Sequence, residues 1–200
     1  EALILAGLAL SVDILLGFGG LLSLGQALYF GIGAYVAALV LRQEPSFWLA
    51  LGAAGAATLL AGIVGGLIAN RVRGVYFALI TFGMAQVVAK VVYNTRELGA
   101  SDGLIGIPVL QIPLGITTVA ADNALGFFLL TLCIIAILYA VTAYLLITPF
   151  GRVIIALKAN EKRVPFLGYS AWWPRMVAYV LAALVAGISG ALYPMLRGFV

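Results

Sequence analysis

The chain has 200 residues, of which 64% are hydrophobic and 9% charged, with a mean hydropathy of +1.19 and a formal net charge of +4. A soluble domain of that composition would expose large apolar patches to water, so composition excludes one and points to a polytopic membrane protein. The absence of histidine removes the commonest general base and metal ligand, and the lone cysteine, Cys133, excludes an intrachain disulfide.

The first apolar run, Ala2 to Leu16, is interrupted only by Ser11 and Asp13 and leads into Gly17, Gly19 and Gly20. Leu21 to Leu41 follows, itself punctuated by Ser23, Gly25, Gln26, Gly31 and Gly33. Glycine frees the backbone, and backbone that leaves the helix in a membrane is tolerated only where it is buried in protein or lines a cavity. A broken or re-entrant, glycine-rich segment is therefore expected, rather than two plain lipid-facing helices. Gly20, Ser23, Gly25, Gln26, Gly31 and Gly33 are candidates for lining a translocation pathway. Tight helix packing explains such residues equally well, and both roles can hold on opposite faces.

Asp13 is the costliest residue in the sequence, because a carboxylate at mid-span costs roughly 2.5–3.5 kcal/mol on insertion scales. It either faces a substrate path or serves a structural role beside Gly17–Gly20, and the structural role is favoured. Tyr29, Tyr35, Tyr76 and Tyr93 read as an aromatic belt or as pathway residues, with the belt preferred for Tyr93 at a span's end.

Phe47 to Ala69 is the cleanest span and carries Gly62 and Gly66 at the spacing that lets helix backbones approach closely in lipid. A basic turn with Arg71 and Arg73 leads into Val75 to Val92, where Lys90 can snorkel to headgroups. The polar stretch 93–123 holds Arg96 against Glu97, Asp102 and Asp122. Ala124 to Thr148 crosses again, Pro149 stops that helix, and Met176 to Leu196 is the last span, rich in small residues.

Between them, Phe150 to Arg175 carries Arg152, Lys158, Lys162, Arg163 and Arg175 against one acid, Glu161. Loops with such an excess of Lys and Arg stay in the cytoplasm. Alternation then puts the Arg71–Arg73 turn inside and the 93–123 stretch outside, and the turn agrees with the charge rule without having been used to set it. Within 149–175, Val153, Leu157 and Val164 recur at roughly helical spacing with Arg152, Lys158, Glu161 and Lys162 between them, which predicts a short amphipathic helix. It either rests on anionic lipid or docks a cytoplasmic protein. No P-loop pattern, metal-ligand cluster or nucleophile–base set occurs, so catalysis by this chain is not expected.

Specific stretches also resemble a known family. GFGGLLSLGQALYFGIGAYVAALV (Gly17 to Val40), RGVYFALITFGMAQVV (Arg73 to Val88), SDGLIGIP (Ser101 to Pro108), TPFGRVIIALKANEKRVPFLGY (Thr148 to Tyr169) and AGISGALY (Ala186 to Tyr193) resemble, in order, the signatures of permease subunits of branched-chain amino acid ABC importers. GVYFALITF and SDGLIGIP favour the M-type (LivM-like) subunit over its H-type partner. The resemblance implies an all-α, multi-pass inner- or plasma-membrane permease domain over 1–200, with an external loop at 93–123 and a cytoplasmic coupling loop at 149–175. It implies two ATPase subunits, a second, H-type permease subunit and an external substrate-binding protein as partners, alongside membrane lipid and without nucleic acid. The chain itself would bind no cofactor, ATP and Mg belonging to the ATPases. The coupling helix would fall in Gly151 to Gly168, with Gly151, Arg152, Lys158, Asn160, Glu161 and Gly168 as candidates for ATPase coupling.

Two positions depart from the family pattern: Asp13, where Asn is frequent, and Gly99-Ala100, where a Gly-Gly pair is usual. The opening at Glu1 and the end at Val200 suggest a piece of a longer chain. A urea or short-chain amide permease shares the early glycine signature, and a secondary transporter using Asp13 for ion coupling is the alternative from another class.

Overall fold

A computed structural model describes residues 1–95, 103–104, 111–113, 118–120, 124–160, 164, 168 and 170–200. The helices are α1 (Ala2–Asp13), α2 (Gln26–Gln43), α3 (Phe47–Ala69), α4 (Val75–Asn94), α5 (Ala124–Ile147), α6 (Pro149–Asn160) and α7 (Trp172–Arg197). The fold is an all-α membrane bundle. One small antiparallel hairpin interrupts it, β1 (Gln111–Pro113) with β2 (Thr118–Ala120), in the register Gln111↔Ala120.

Among the described residues four helices, α3, α4, α5 and α7, are long and apolar enough to cross a membrane. The Ala2–Phe18 helix is apolar but shorter. α2, with 18 residues, is about 27 Å long at 1.5 Å per residue, and its glycines and Gln26 dilute its apolar character.

α7 is the hub, and the reason lies in its small residues. It packs along α1, α2 and α3, and Ala182, Ala183, Ala186, Gly187, Gly190 and Ala191 are all buried. Where α2 crosses it, backbone touches backbone. A Cβ added to Gly33 would fall on the carbonyl of Gly187, and one added to Gly190 on the carbonyl of Phe30. On α3, a Cβ on Gly62 would lie 2.8 Å from Ala183 Cβ and one on Gly66 2.7 Å from Met176 Sδ. The predicted Gly62–Gly66 seam is thus a helix-packing seam, and α7 is what it packs against. Lipid tails are as apolar as the side chains, so close packing of this kind supplies much of the association between membrane helices.

The two ends of the bundle are marked by different contacts. At one end Glu1 pairs with Arg197, and Leu104 exchanges both backbone hydrogen bonds with Val200 at 2.8 and 3.1 Å. At the other, Asn70 Nδ2 donates to the Trp172 carbonyl at 2.9 Å, and α6 lies beside the glycine segment that follows α1. The basic turn after α3 and the basic segment after α5 share one end, and residue 104 of the 93–123 stretch sits at the opposite one.

Boundaries in the basic segment differ from expectation. Pro149 opens α6 as well as ending α5, because proline lacks only an N–H that a first helical position leaves unbonded anyway. α7 begins at Trp172, so Arg175 belongs to a span, where it is buried. Arg96, Glu97, Gly99, Asp102, Gly106, Pro108 and Asp122 lie outside the described residues, as do Glu161, Lys162 and Arg163.

Candidate functional site

The glycine segment is where the candidate residues concentrate. α1 runs on into a wider π-helical turn, Ile14–Phe18, in which Gly19 N–H bonds the Ile14 carbonyl at 3.2 Å and Leu21 N–H the Leu15 carbonyl at 2.8 Å. Gly20 then turns the chain with φ +65°, a left-handed conformation that favours glycine. The helix is broken here, between Gly19 and Gly25, at the end of the bundle that holds α6.

Two contacts hold the break. Towards α4, Leu24 N–H donates to Thr81 Oγ1 at 3.2 Å, and that hydroxyl donates to the Ala78 carbonyl at 2.9 Å. Gly25 sits so close that an added Cβ would lie 2.7 Å from the Thr81 carbonyl oxygen. Towards α6, Lys158 Nζ donates to the Gly17 carbonyl at 2.6 Å, while a Cβ on Gly20 would lie 2.8 Å from Lys158 Cγ.

Ser23 and Gln26 meet at the start of α2, whose N-cap is Gly25. Ser23 Oγ accepts from Gly25 N–H and from Gln26 Nε2, each at 3.4 Å. Gln26 is 2% exposed, and its Oε1 has no hydrogen-bond partner among the described residues. Asp13 is exposed rather than sunk at mid-span, and its carboxylate lies over Gly17, where an added Cβ would meet Oδ1.

The glycine series divides by face, as the two open roles allow. Gly33 and Gly25 are packing positions. Gly31 faces a groove of about 540 Å3 between α2 and α4, with Tyr35 and Leu39 on one wall and Gln86, Ala89 and Tyr93 on the other. A Cβ added to Gly31 would meet nothing. Small size is therefore not required there by the chain's own packing.

The four tyrosines separate too. Tyr35 and Tyr93 line the groove, and Tyr76 is exposed. Tyr29 belongs to neither belt nor pathway. It is wholly buried, with its hydroxyl donating to Tyr179 Oη at 3.0 Å over Gly65 and the two rings edge to face at 5.8 Å. Phe77 meets Tyr179 edge to face at 5.9 Å, so the cluster ties α2, α3, α4 and α7 together. Sequence reading missed Tyr179 and Thr81. A lone Thr in an apolar helix usually bonds its own preceding turn, so nothing in the pattern marks Thr81 as a dock for another segment. Tyr29→Phe should lower stability by about 1–3 kcal/mol, the cost of leaving a buried hydroxyl poorly satisfied. Thermal unfolding of the purified protein in detergent measures it.

In α6 the buried residues are Gly151, Ile154 and Leu157, with Val164 buried beyond the helix and Val153 only half-buried. Leu157 and Val164 are buried as expected, and Ile154 takes the place of Val153 on the anchoring face. A Cβ on Gly151 would collide with the Leu145 carbonyl, so Gly151 sets the tight approach of α6 to α5. Arg152 and Ile155 are exposed. Asn160 ends the helix, and Gly168 is exposed with φ +81°. Among the described residues no three His, Cys, Asp or Glu side chains gather as metal ligands.

A bundle hub, a broken glycine segment and a basic amphipathic helix at one end form the frame in which the sequence comparisons fall. Residues 1–200 match the family described as branched-chain amino acid transport system / permease component. The chain belongs to this family. It is similar to the high-affinity branched-chain amino acid transport system permease protein LivM of Salmonella typhimurium, 28% identical over 214 residues, covering 96% of this chain and 50% of the relative. The LivM protein of Escherichia coli is similar to the same extent, 28% over 214 residues. The permease chain spans about half the length of the curated relatives it matches. No solved structure matches it.

Proposed function

We propose that the chain forms part of the membrane pathway of an ATP-driven importer of branched-chain amino acids, as an M-type permease subunit in the inner membrane. The observation that carries this reading is the family match over residues 1–200, and two structural features support it. The α2–α4 groove is mostly apolar, with Gln86 as a polar point, and suits a path for an amino acid with a hydrophobic side chain once another subunit covers it. α6 is anchored by Ile154 and Leu157 and turns Arg152 and Ile155 outwards, as a helix gripped by a cytoplasmic ATPase would. The chain then binds no nucleotide of its own. Two ATPase subunits, an H-type permease and an external binding protein complete the assembly, with 149–175 cytoplasmic and 93–123 external.

The urea alternative has less behind it, since both relatives are branched-chain amino acid permeases. Secondary transport through Asp13 is also disfavoured, because that carboxylate is exposed at the α6 end and does not line the groove.

The test is uptake of labelled leucine by the full-length protein, reconstituted with its partners in proteoliposomes. ATP and the external binding protein should both be required, and isoleucine should compete where urea does not. Uptake driven by an ion gradient without ATP would overturn the proposal. Within that assay Gly168→Trp should cut transport on the order of tenfold while insertion survives. A side chain forced into the left-handed conformation costs about 1–2 kcal/mol, and each 1.4 kcal/mol is about tenfold in a rate. Glu161→Ala should likewise lower transport without loss of insertion.

A further inference from the structure

Lys158 was expected to face a partner, and its side chain, although exposed, is engaged by its own chain. The Gly17 carbonyl that it binds at 2.6 Å belongs to the π-helical turn that continues α1 to its end, where carbonyls lack intrahelical partners and the helix dipole favours a cation. Gly20 accepts the lysine stem against its backbone. Lys158 Cγ, Cβ and Cα lie 2.8, 3.1 and 3.2 Å from where a Cβ on Gly20 would stand. The Asp13 carboxylate lies over the same Gly17, so opposite charges flank one glycine. Below the contact Ile14 and Leu15 share a buried cluster with Ile154 and Ala178, so α6, the π-helical turn and α7 meet at one place.

α6 also borders an apolar cavity of about 80 Å3 that Leu138, Thr142, Leu145 and Leu181 help to line, on its α5 and α7 sides. On the glycine side it adds a hydrogen bond and close backbone contact. α6 is therefore linked to the glycine segment as well as to α5 and α7, and that segment in turn is fixed to α4, a wall of the groove, through Leu24 and Thr81.

We propose that Lys158 is a positioning residue for transport: its bond to the Gly17 carbonyl makes the glycine break move with α6, and through Thr81 with the groove. This rests on the importer reading above, and it adds the element that receives the motion of α6. Lys158 is itself exposed, beside Arg152 and Ile155 on the outer face of α6, and its bond ties that face to the glycine break.

The test uses the full-length protein in its complete complex, with Lys158→Met and Lys158→Arg. Methionine keeps most of the apolar stem and removes the donor, and arginine keeps a donor and the charge. Spin labels at Leu16→Cys and Ala159→Cys, both exposed positions next to the contact, in a Cys133→Ser background because Cys133 is exposed, report the separation of α6 from the break without needing ATP. Lys158→Met should broaden that distance distribution and lower leucine transported per ATP hydrolysed at least fivefold, with complex yield and basal ATP hydrolysis retained. Lys158→Arg should restore most of the ratio. A broadened distribution with an unchanged ratio overturns the positioning role and leaves the importer reading intact. An unchanged distribution overturns the contact itself. Wild-type protein without ATP-driven uptake overturns both readings together.

Discussion

Gly33→Leu is expected to remove most folded permease from detergent extracts, where Gly31→Leu, two residues away on the same helix, is expected to leave it intact. The contrast follows from which face each glycine occupies. At Gly33 the added Cβ falls on the Gly187 carbonyl, with the Gly187 carbonyl carbon and Cα at 2.6 and 2.7 Å. These are backbone atoms of the hub helix, so no side chain can swing aside. α7 cannot retreat either, because a Cβ on Gly187 would itself meet Thr58 of α3, which shows how tightly the three helices are stacked. Overpacking a core costs typically 1–3 kcal/mol, and a backbone collision belongs at the upper end. At about 3 kcal/mol, and roughly 2–4 °C per kcal/mol for a chain of this size, the melting temperature should fall by about 6–12 °C. At Gly31 the new side chain enters the groove and meets nothing, so its cost should stay within about 0.5 kcal/mol, as for a substitution away from packed features. Thermal unfolding of the two purified full-length variants decides the matter. Equal melting temperatures would mean that α2 does not cross α7 at Gly33.

That contrast also shows what the sequence could and could not disclose. The membrane bundle and the run from Phe47 to Ala69 were legible because ~20 apolar residues have few other places to go. The amphipathic helix was legible because charge alternates with apolar residues at helical spacing, although its anchoring face is centred on Ile154 and Leu157. The glycine series was legible only as a set. Gly31 and Gly33 are identical letters in one helix, and nothing local says that one faces open space and the other a carbonyl. Their roles depend on α7, more than 150 residues further along the chain. Tyr29 is a similar case: its partner Tyr179 is 150 positions away, and a tyrosine near a glycine-rich break fits belt, pathway and core equally. The bond of Lys158 to its own chain was hidden for the opposite reason. A lysine in a basic loop has an adequate explanation in topology, and the carbonyl it serves exists only because α1 ends at the glycines.

Gly25→Leu should give a different phenotype from Gly33→Leu, with the permease folded and transport lost. The obstacle is again backbone, the Thr81 carbonyl oxygen at 2.7 Å and its carbon at 3.1 Å from the added Cβ. Gly25, however, lies at the edge of the bundle in the non-helical segment, and the α7 seam does not depend on it. A leucine there pushes the segment off α4 and breaks the bond from Leu24 N–H to Thr81 Oγ1. The melting temperature should drop by only a few degrees, in line with about 1–2 kcal/mol for one lost hydrogen bond and local strain. Leucine uptake by the reconstituted complex should fall more than about tenfold, since an α4 wall displaced from the break by about 1 Å is enough to spoil a positioned path. Thr81→Ala offers a way to tell the collision from the lost hydrogen bond. It removes the hydroxyl but keeps the carbonyl, so alone it should lower stability by about 1 kcal/mol, and it should not rescue Gly25→Leu. Rescue by Thr81→Ala would show that the side chain was the obstacle. Normal uptake by Gly25→Leu would show that the break moves independently of α4, and with it the step from α6 to the groove would lose its middle link.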